Sequence, residues 1–177
     1  MAKTVTAAEM KERERAANEA GLLYIQMMEN AGRAAYAELK RRVPALRRLL
    51  IVAGKGNNGG DGFVMARVAA KEGVQVRVLL AEGEPKTADA KTNLARLAET
   101  AAEVVRDTEQ AAFGADAVVD ALYGTGFHGE LRPGGAAACA LMGRERERGA
   151  FVLALDLPSG VSADSGEVAE GAVQADA

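Results

Sequence analysis

From residue 49 onward, short apolar runs alternate with helix-patterned stretches, and that alternation narrows the fold more than any other feature of the chain. Leu49–Ala53 is the clearest run. Val74–Leu80, the shorter Glu103–Val105, Ala115–Ala121 and Ala150–Leu155 follow it. A strand that is apolar without interruption is buried on both faces, which is the condition of a parallel sheet. Between the runs lie Gly59–Glu72, Thr87–Ala101, the short Thr108–Phe113 and Gly135–Arg148, with apolar residues at helical spacing. Strands alternating with helices predict an α/β fold, a three-layer αβα sandwich whose central sheet is mostly parallel. Low aromatic content (4%) and the absence of Trp suit close packing of Ala- and Gly-rich helices on such a sheet.

Two helices are expected before the first strand. Thr6 followed by Glu9 has the spacing of a capping box, so a helix is predicted over Ala7–Ala20, ended by Gly21. A second is predicted over Leu22–Arg42, where Leu22, Ile25, Met28, Gly32, Tyr36 and Leu39 share one face. Val43 precedes Pro44, which disfavours further helix. Met27 and Met28 read as packing residues, and the basic residues of Lys40–Arg48 as a solvated face. No internal repeat or linker divides the chain, so residues 1–177 read as one domain, long enough to bury a core.

Charge and cysteine usage exclude several classes. Twenty-two basic residues against 25 acidic ones give a net charge of −3, which argues against a nucleic-acid binder. The single Cys139 makes no internal disulfide and reads as a small hydrophobe in an Ala-rich helix. No run is long and apolar enough to span a bilayer, and Met1–Ala16 lacks the pattern of a signal peptide. A cytoplasmic protein is expected. The alternating charges of Arg144–Arg148 read as a solvated helix end.

In a parallel sheet, ligands bind beyond the carboxyl ends of the strands, and three strands here end in unusual loops. The first runs Gly54-Lys55-Gly56-Asn57-Asn58-Gly59-Gly60-Asp61-Gly62. Its glycines allow backbone N–H groups to approach a phosphate at a helix N-terminus. The spacing Gly54, Gly56, Gly59 is a weak dinucleotide fingerprint by itself. Asn57, Asn58 and Asp61 are more than a plain turn needs. The second loop runs from Asp120 through Leu122, Tyr123, Gly124, Thr125, Gly126, Phe127, His128 and Gly129 to Glu130. It can wrap a second polar group. His128, the only histidine, is either a proton carrier or a surface residue. The third loop is Asp156-Leu157-Pro158-Ser159-Gly160, where burial is expected to raise the Asp156 carboxyl. An Asx turn is the structural alternative for Asp156. Asn58, Asp120 and Ser159 together offer hard oxygen ligands for a cation of that preference, and no His/Cys cluster points to a transition metal. No G-x-S-x-G elbow is present.

These three loops, together with Met27-Met28-Glu29-Asn30-Ala31-Gly32, resemble the NAD(P)HX epimerases, the YjeF N-terminal domain family, and the resemblance extends over most of the chain. It implies a Rossmann-like αβα sandwich with two N-terminal helices, usually a homodimer. The implied activity is interconversion of the R and S hydrates NADHX and NADPHX, which feeds an ATP- or ADP-dependent dehydratase in metabolite repair. Carried over by motif, the substrate would meet Asn57, Asn58, Gly59, Gly60 and Asp61, then Gly124, Thr125, Gly126, Phe127, His128, Gly129 and Glu130, and finally Asp156. One potassium ion per subunit would be held by Asn58, Asp120 and Ser159. Asp156 is expected to act as acid and base. Family members often have Asp where Glu14 stands. They usually continue past the position of Ala177, so the C-terminal end of the family domain is expected to be missing. Two other readings are a non-catalytic nucleotide- or protein-binding module of the same fold, and a dehydrogenase whose Glu82 meets ribose.

Overall fold

The central strand explains the rest of the architecture. In a computed structural model describing residues 6–177, Leu49, Leu50, Ile51, Val52 and Ala53 are all fully buried in β1 (Arg48–Ala53). Residues 1–5, part of the stretch read above for a targeting signal, lie outside the described residues. β1 is flanked in parallel by β2 (Gln75–Leu80) and β4 (Ala117–Ala121). β3 (Glu103–Val105) and β5 (Phe151–Ala154) extend the two sides, again in parallel. The order is β3-β2-β1-β4-β5. The winding reverses between β1 and β4, and that switch point is where such a sheet opens a crevice.

Side chains alternate between two cores. Leu49, Ile51 and Ala53 join Tyr36, Leu39, Phe63, Met65 and Ala90 on one face. Those partners lie on α2 (Tyr24–Arg42), α3 (Asn57–Lys71) and α4 (Ala88–Ala95). Leu50 and Val52 join Ala111, Ala138, Cys139, Leu141 and Met142 on the other, from α5 (Thr108–Ala111) and α6 (Pro133–Glu147). Cys139 is buried, and burial pushes its thiol up to about 12. It packs as a hydrophobe, as expected.

The capping box forms: Thr6 Oγ1 accepts from Glu9 N–H and the Glu9 carboxylate accepts from Thr6 N–H at the start of α1 (Ala7–Glu19). Four expectations shift. The second helix starts at Tyr24 and not Leu22, leaving Leu22, Leu23 and Tyr24 exposed. The third starts at Asn57 and not Gly59, so most of the predicted first loop is helix. The fourth ends at Ala95 and tightens into a 3-10 turn over Arg96–Glu99. In the charge run at the end of α6, Glu145 is fully buried, because its carboxylate accepts from Ala115 N–H (2.9 Å) and Arg148 (3.2 Å). The other residues of that run are exposed, as expected.

The glycines that weaken a helix prediction at Asn57–Gly62 are needed for packing. Gly60 faces Met28 and Ala90, and Gly62 faces Ile51 and Ala121. Tertiary fit overrides propensity here. Across the gap, Gly32 of α2 meets α3 so closely that a β-carbon would stand 2.6 Å from Val64 Cβ and 2.8 Å from the Asp61 carbonyl. Met28 is buried in the same contact, where the Asn93 amide donates to its sulfur at 3.2 Å. No helix among the described residues is long and apolar enough to cross a membrane.

Candidate functional site

A crevice of about 1060 Å³ opens beyond the carboxyl ends of β1, β4 and β5. Beneath it, Gly54 brings the ends of β1 and β4 together. The Gly54 N–H donates to the Ala121 carbonyl at 3.0 Å, and any side chain at this position would strike the Leu122 carbonyl. Only glycine permits that approach. After Lys55 and Gly56 the chain enters α3, whose N-terminus carries no side-chain cap and no acidic residue in its first turn. Its uncapped N–H groups and partial positive charge suit an anionic ligand.

The first turns of α3 supply three crevice residues, Asn57, Asn58 and Asp61. Gly59 and Gly60 do not line it; they face Gly54 and Met28 as packing contacts. Asn58 is a brace. Its amide donates to the Tyr123 carbonyl (2.8 Å) and the Leu155 carbonyl (3.3 Å), tying α3 to the loops after β4 and β5. Burial, aided by the nearby Asp156 and Glu14 carboxylates, raises Asp61 to about 7.

Asp156 stands differently from expectation. It is exposed, and the raised carboxyl expected of it is found at the part-buried Asp61 instead. Its φ is 69°, and Leu157 N–H donates back to the Leu155 carbonyl (2.9 Å), closing a γ-turn around it. This is the only positive φ outside glycine among the described residues. Strain of this kind collects at functional sites. The side chain is also fixed, because its Oδ2 accepts from Thr125 N–H at 2.7 Å. Gly124 lets it sit there: a β-carbon on Gly124 would lie 2.6 Å from that oxygen. No Asx turn is needed to explain the residue.

The rest of the second loop divides. Phe127 is buried and stacks on Tyr123, with ring centroids 5.2 Å apart. Gly124, Thr125, Gly126, His128 and Glu130 line the crevice, and Gly129 does not. His128 is exposed.

Asp120 and Ser159 form a buried pair beneath the crevice. The Ser159 hydroxyl donates to Asp120 Oδ1 (2.6 Å), and its N–H donates to Asp120 Oδ2 (2.7 Å). Ser159 Oγ in turn accepts from Tyr123 N–H at 2.9 Å. With Asn58 on the Tyr123 carbonyl and Ser159 on its N–H, two of the three oxygen-bearing residues meet at the Tyr123 backbone, and Asp120 is joined to them through Ser159. Asp120 is fully buried, and its partners among the described residues are N–H and O–H groups, none of them cationic. Burial pushes its carboxyl above the ordinary range, against the hydrogen bonds from Ser159 and Leu122. A buried carboxylate without a counter-charge, among neutral oxygen donors, fits a weakly hydrated hard cation. Among the described residues no three His, Cys, Asp or Glu side chains gather as a metal cluster.

Further side chains complete the walls of the crevice. Tyr123 donates its hydroxyl to Glu82 Oε1 (2.8 Å), and Arg132 donates to Glu82 Oε2 (3.0 Å). Burial and the hydrogen bond to Glu82 raise the Tyr123 phenol to about 12. Glu82, read from sequence as a ribose acceptor, therefore has both oxygens engaged. Lys11 and Glu14 of α1 also line the crevice. Nothing in their spacing marks them; only the packing of α1 over the strand ends does.

A profile of the family described as YjeF-related protein N-terminus matches residues 24–177. The chain is 41% identical over 169 residues to a protein of Pirellula staleyi named NAD(P)H-hydrate epimerase, covering 88% of this chain and 71% of that one. It is 38% identical to the bifunctional NAD(P)H-hydrate repair enzyme Nnr of Coxiella burnetii over 94% of this chain. It spans about a third of that relative's length, 34%. The crystal structure of yeast ynu0 superposes with a TM-score of 0.81 at 20% identity, covering 98% of this chain and 78% of that one, and shares the fold.

Proposed function

Since the chain belongs to the family of YjeF-related protein N-termini, we propose that it is an epimerase that interconverts the R and S hydrates NADHX and NADPHX. One observation carries the reading. A single crevice joins an uncapped helix N-terminus, suited to a phosphate, to the Asp61 and Asp156 carboxyl groups, suited to proton transfer.

The hydrate bears its hydroxyl on the carbon next to the ring nitrogen. Protonation of that hydroxyl lets the nitrogen lone pair expel it as water, leaving a planar iminium. Water then returns to either face. Asp156, held by Thr125 N–H at the lip of the crevice, takes part in these transfers. The stacked Tyr123 and Phe127 offer an aromatic wall for a ring. Asn58, Asp120 and Ser159 would hold potassium. Bound there, it would supply a fixed positive charge that neutralises Asp120 and ties the three loops together. A homodimer in the cytoplasm, working alongside a dehydratase, completes the proposal. The exposed Leu22, Leu23 and Tyr24 give the dimer an apolar surface, and a monomer mass by sedimentation counts against it.

The test follows each NADPHX epimer by chiral chromatography. Wild-type protein should interconvert them, and Asp156→Asn should slow this about 10²-fold or more. Asn also tolerates a positive φ, so the variant changes chemistry and not backbone. Binding of NADPHX by wild-type protein without any interconversion would return the chain to the binding-module reading.

A further inference from the structure

We propose that Asp61 is a second proton carrier in this crevice, acting on the face of the nicotinamide hydrate opposite the one that Asp156 serves. This inference rests on the epimerase reading above.

Inversion through loss and return of water involves both faces of the ring. The departing hydroxyl needs a proton on its own face. The incoming water needs a base on the other. A carboxyl group fixed on one loop reaches one face. Among the carboxyl groups that line the crevice, Asp61 stands on α3 and Asp156 on the γ-turn after β5, two separate elements.

Asp61 suits the role on geometry. It lines the crevice, yet among the described residues its carboxyl makes no hydrogen bond or ion pair. Asp156, by contrast, is held by Thr125 N–H. Gly32 presses α2 against the Asp61 carbonyl, so the residue is positioned through its backbone while its side chain stays available. The nearby charges are Glu14 from α1 and Asp156 from the loop after β5, and the crevice is also lined by Lys11 from α1, His128 and Glu130 from the loop after β4, and Lys55 beside α3. Lys86 lines the crevice further along, while Glu82 and Arg132 are engaged with each other. Burial and two neighbouring carboxylates raise Asp61 to about 7, so a large share of it still carries a proton near neutral pH. His128 is exposed and offers no comparable setting.

The step balances as follows. The Asp61 carboxyl gives its proton to the leaving hydroxyl. The carbon–oxygen bond breaks, the nitrogen lone pair forms the carbon–nitrogen double bond, and water departs. On the opposite face a second water adds to that carbon, returning the electron pair to nitrogen. The Asp156 carboxylate takes the proton this water releases. Asp61 is now ionised and Asp156 protonated, and exchange with solvent restores the pair. The reverse epimerisation starts from Asp156.

The experiment compares wild type, Asp61→Asn, Asp61→Glu and Asp156→Asn on separated NADPHX epimers across pH, with NADPHX-induced melting shifts measured beside the rates. Asp61→Asn should lose about 10²-fold or more in kcat while keeping its NADPHX shift. The wild-type rate should fall above about pH 7, the value to which Asp61 is raised, and that limb should be absent from Asp61→Asn. Asp61→Glu should recover part of the rate with the limb displaced. An Asp61→Asn variant within about threefold of wild type, or with an unchanged pH limb, overturns the proposal while the epimerase reading stands on Asp156→Asn. Loss of the NADPHX shift along with the rate assigns Asp61 to binding and overturns it too. An inert wild type fails the epimerase reading itself.

Discussion

Burying Asp61 costs the folded state whenever the group is ionised, and the sign of its pH dependence follows. Its folded value is raised from 3.8 to about 7. Between those values the folded chain holds a proton that the unfolded chain releases, so stability falls as pH rises from about 4 to about 7 and then levels off. Asp61→Asn removes the penalty. Its unfolding free energy, from denaturant titrations, should match wild type near pH 4 and exceed it above pH 7, by on the order of a few kcal/mol. Equal pH profiles for the two proteins would show that Asp61 is solvated. The residue scale is also where the sequence was least legible. The motifs identified which carboxylates share a crevice, but the burial expected at Asp156 occurs at Asp61. Depth depends on what packs over a residue. Here that is α1 with Glu14, far away in the chain. The γ-turn that leaves Asp156 exposed has no marker in Asp-Leu-Pro-Ser-Gly.

Among the elements, α3 does most to build the site, and its start was misplaced for a physical reason. Helix propensity penalises Asn57-Asn58-Gly59-Gly60, whereas the fold requires small residues there so that Gly54, Met28 and Ile51 can approach. Propensity is local, and these partners come from β1 and α2. The same contact yields a prediction. Gly32→Val places branches where a β-carbon alone would already lie 2.6 Å from Val64 Cβ. Overpacking of this kind costs about 1–3 kcal/mol, or roughly 2–4 °C of melting temperature per kcal/mol in a chain of this size. Val64→Ala in the same chain should recover part of the loss, since the two sites are in contact and couple. Additive losses in the double variant would show that α2 and α3 do not meet as described. Gly32 carries this constraint silently; in the sequence it is one more position on the buried face of a helix.

For the whole molecule, alternation of strand and helix predicted parallel pairing and two helical layers, but not the strand order. Order depends on which crossovers pack best, and no single run encodes that. What did follow from sequence is the meeting of three loops, because any parallel sheet collects its carboxyl ends on one edge. The order β3-β2-β1-β4-β5 then makes the loops of β1, β4 and β5 neighbours, and Glu82, after β2 on the other side of β1, reaches across to Tyr123. The molecule is therefore held at this edge by polar bonds through Asn58, Asp120 and Ser159, over a carboxylate with no cationic partner among the described residues. A potassium ion bound among them would stabilise the native state by mass action, about 2.7 kcal/mol at a hundredfold excess over its Kd. Replacing sodium by potassium at constant ionic strength should then raise the melting temperature by several degrees, at roughly 2–4 °C per kcal/mol. The increment should vanish in Asp120→Asn, which removes the charge, and shrink in Ser159→Ala, which removes one donor oxygen. It should persist in Asp156→Asn, because that carboxylate binds Thr125 N–H and not the buried pair. A potassium effect that survives in Asp120→Asn, or none at all in wild type, would leave hydrogen bonds alone holding the three loops together.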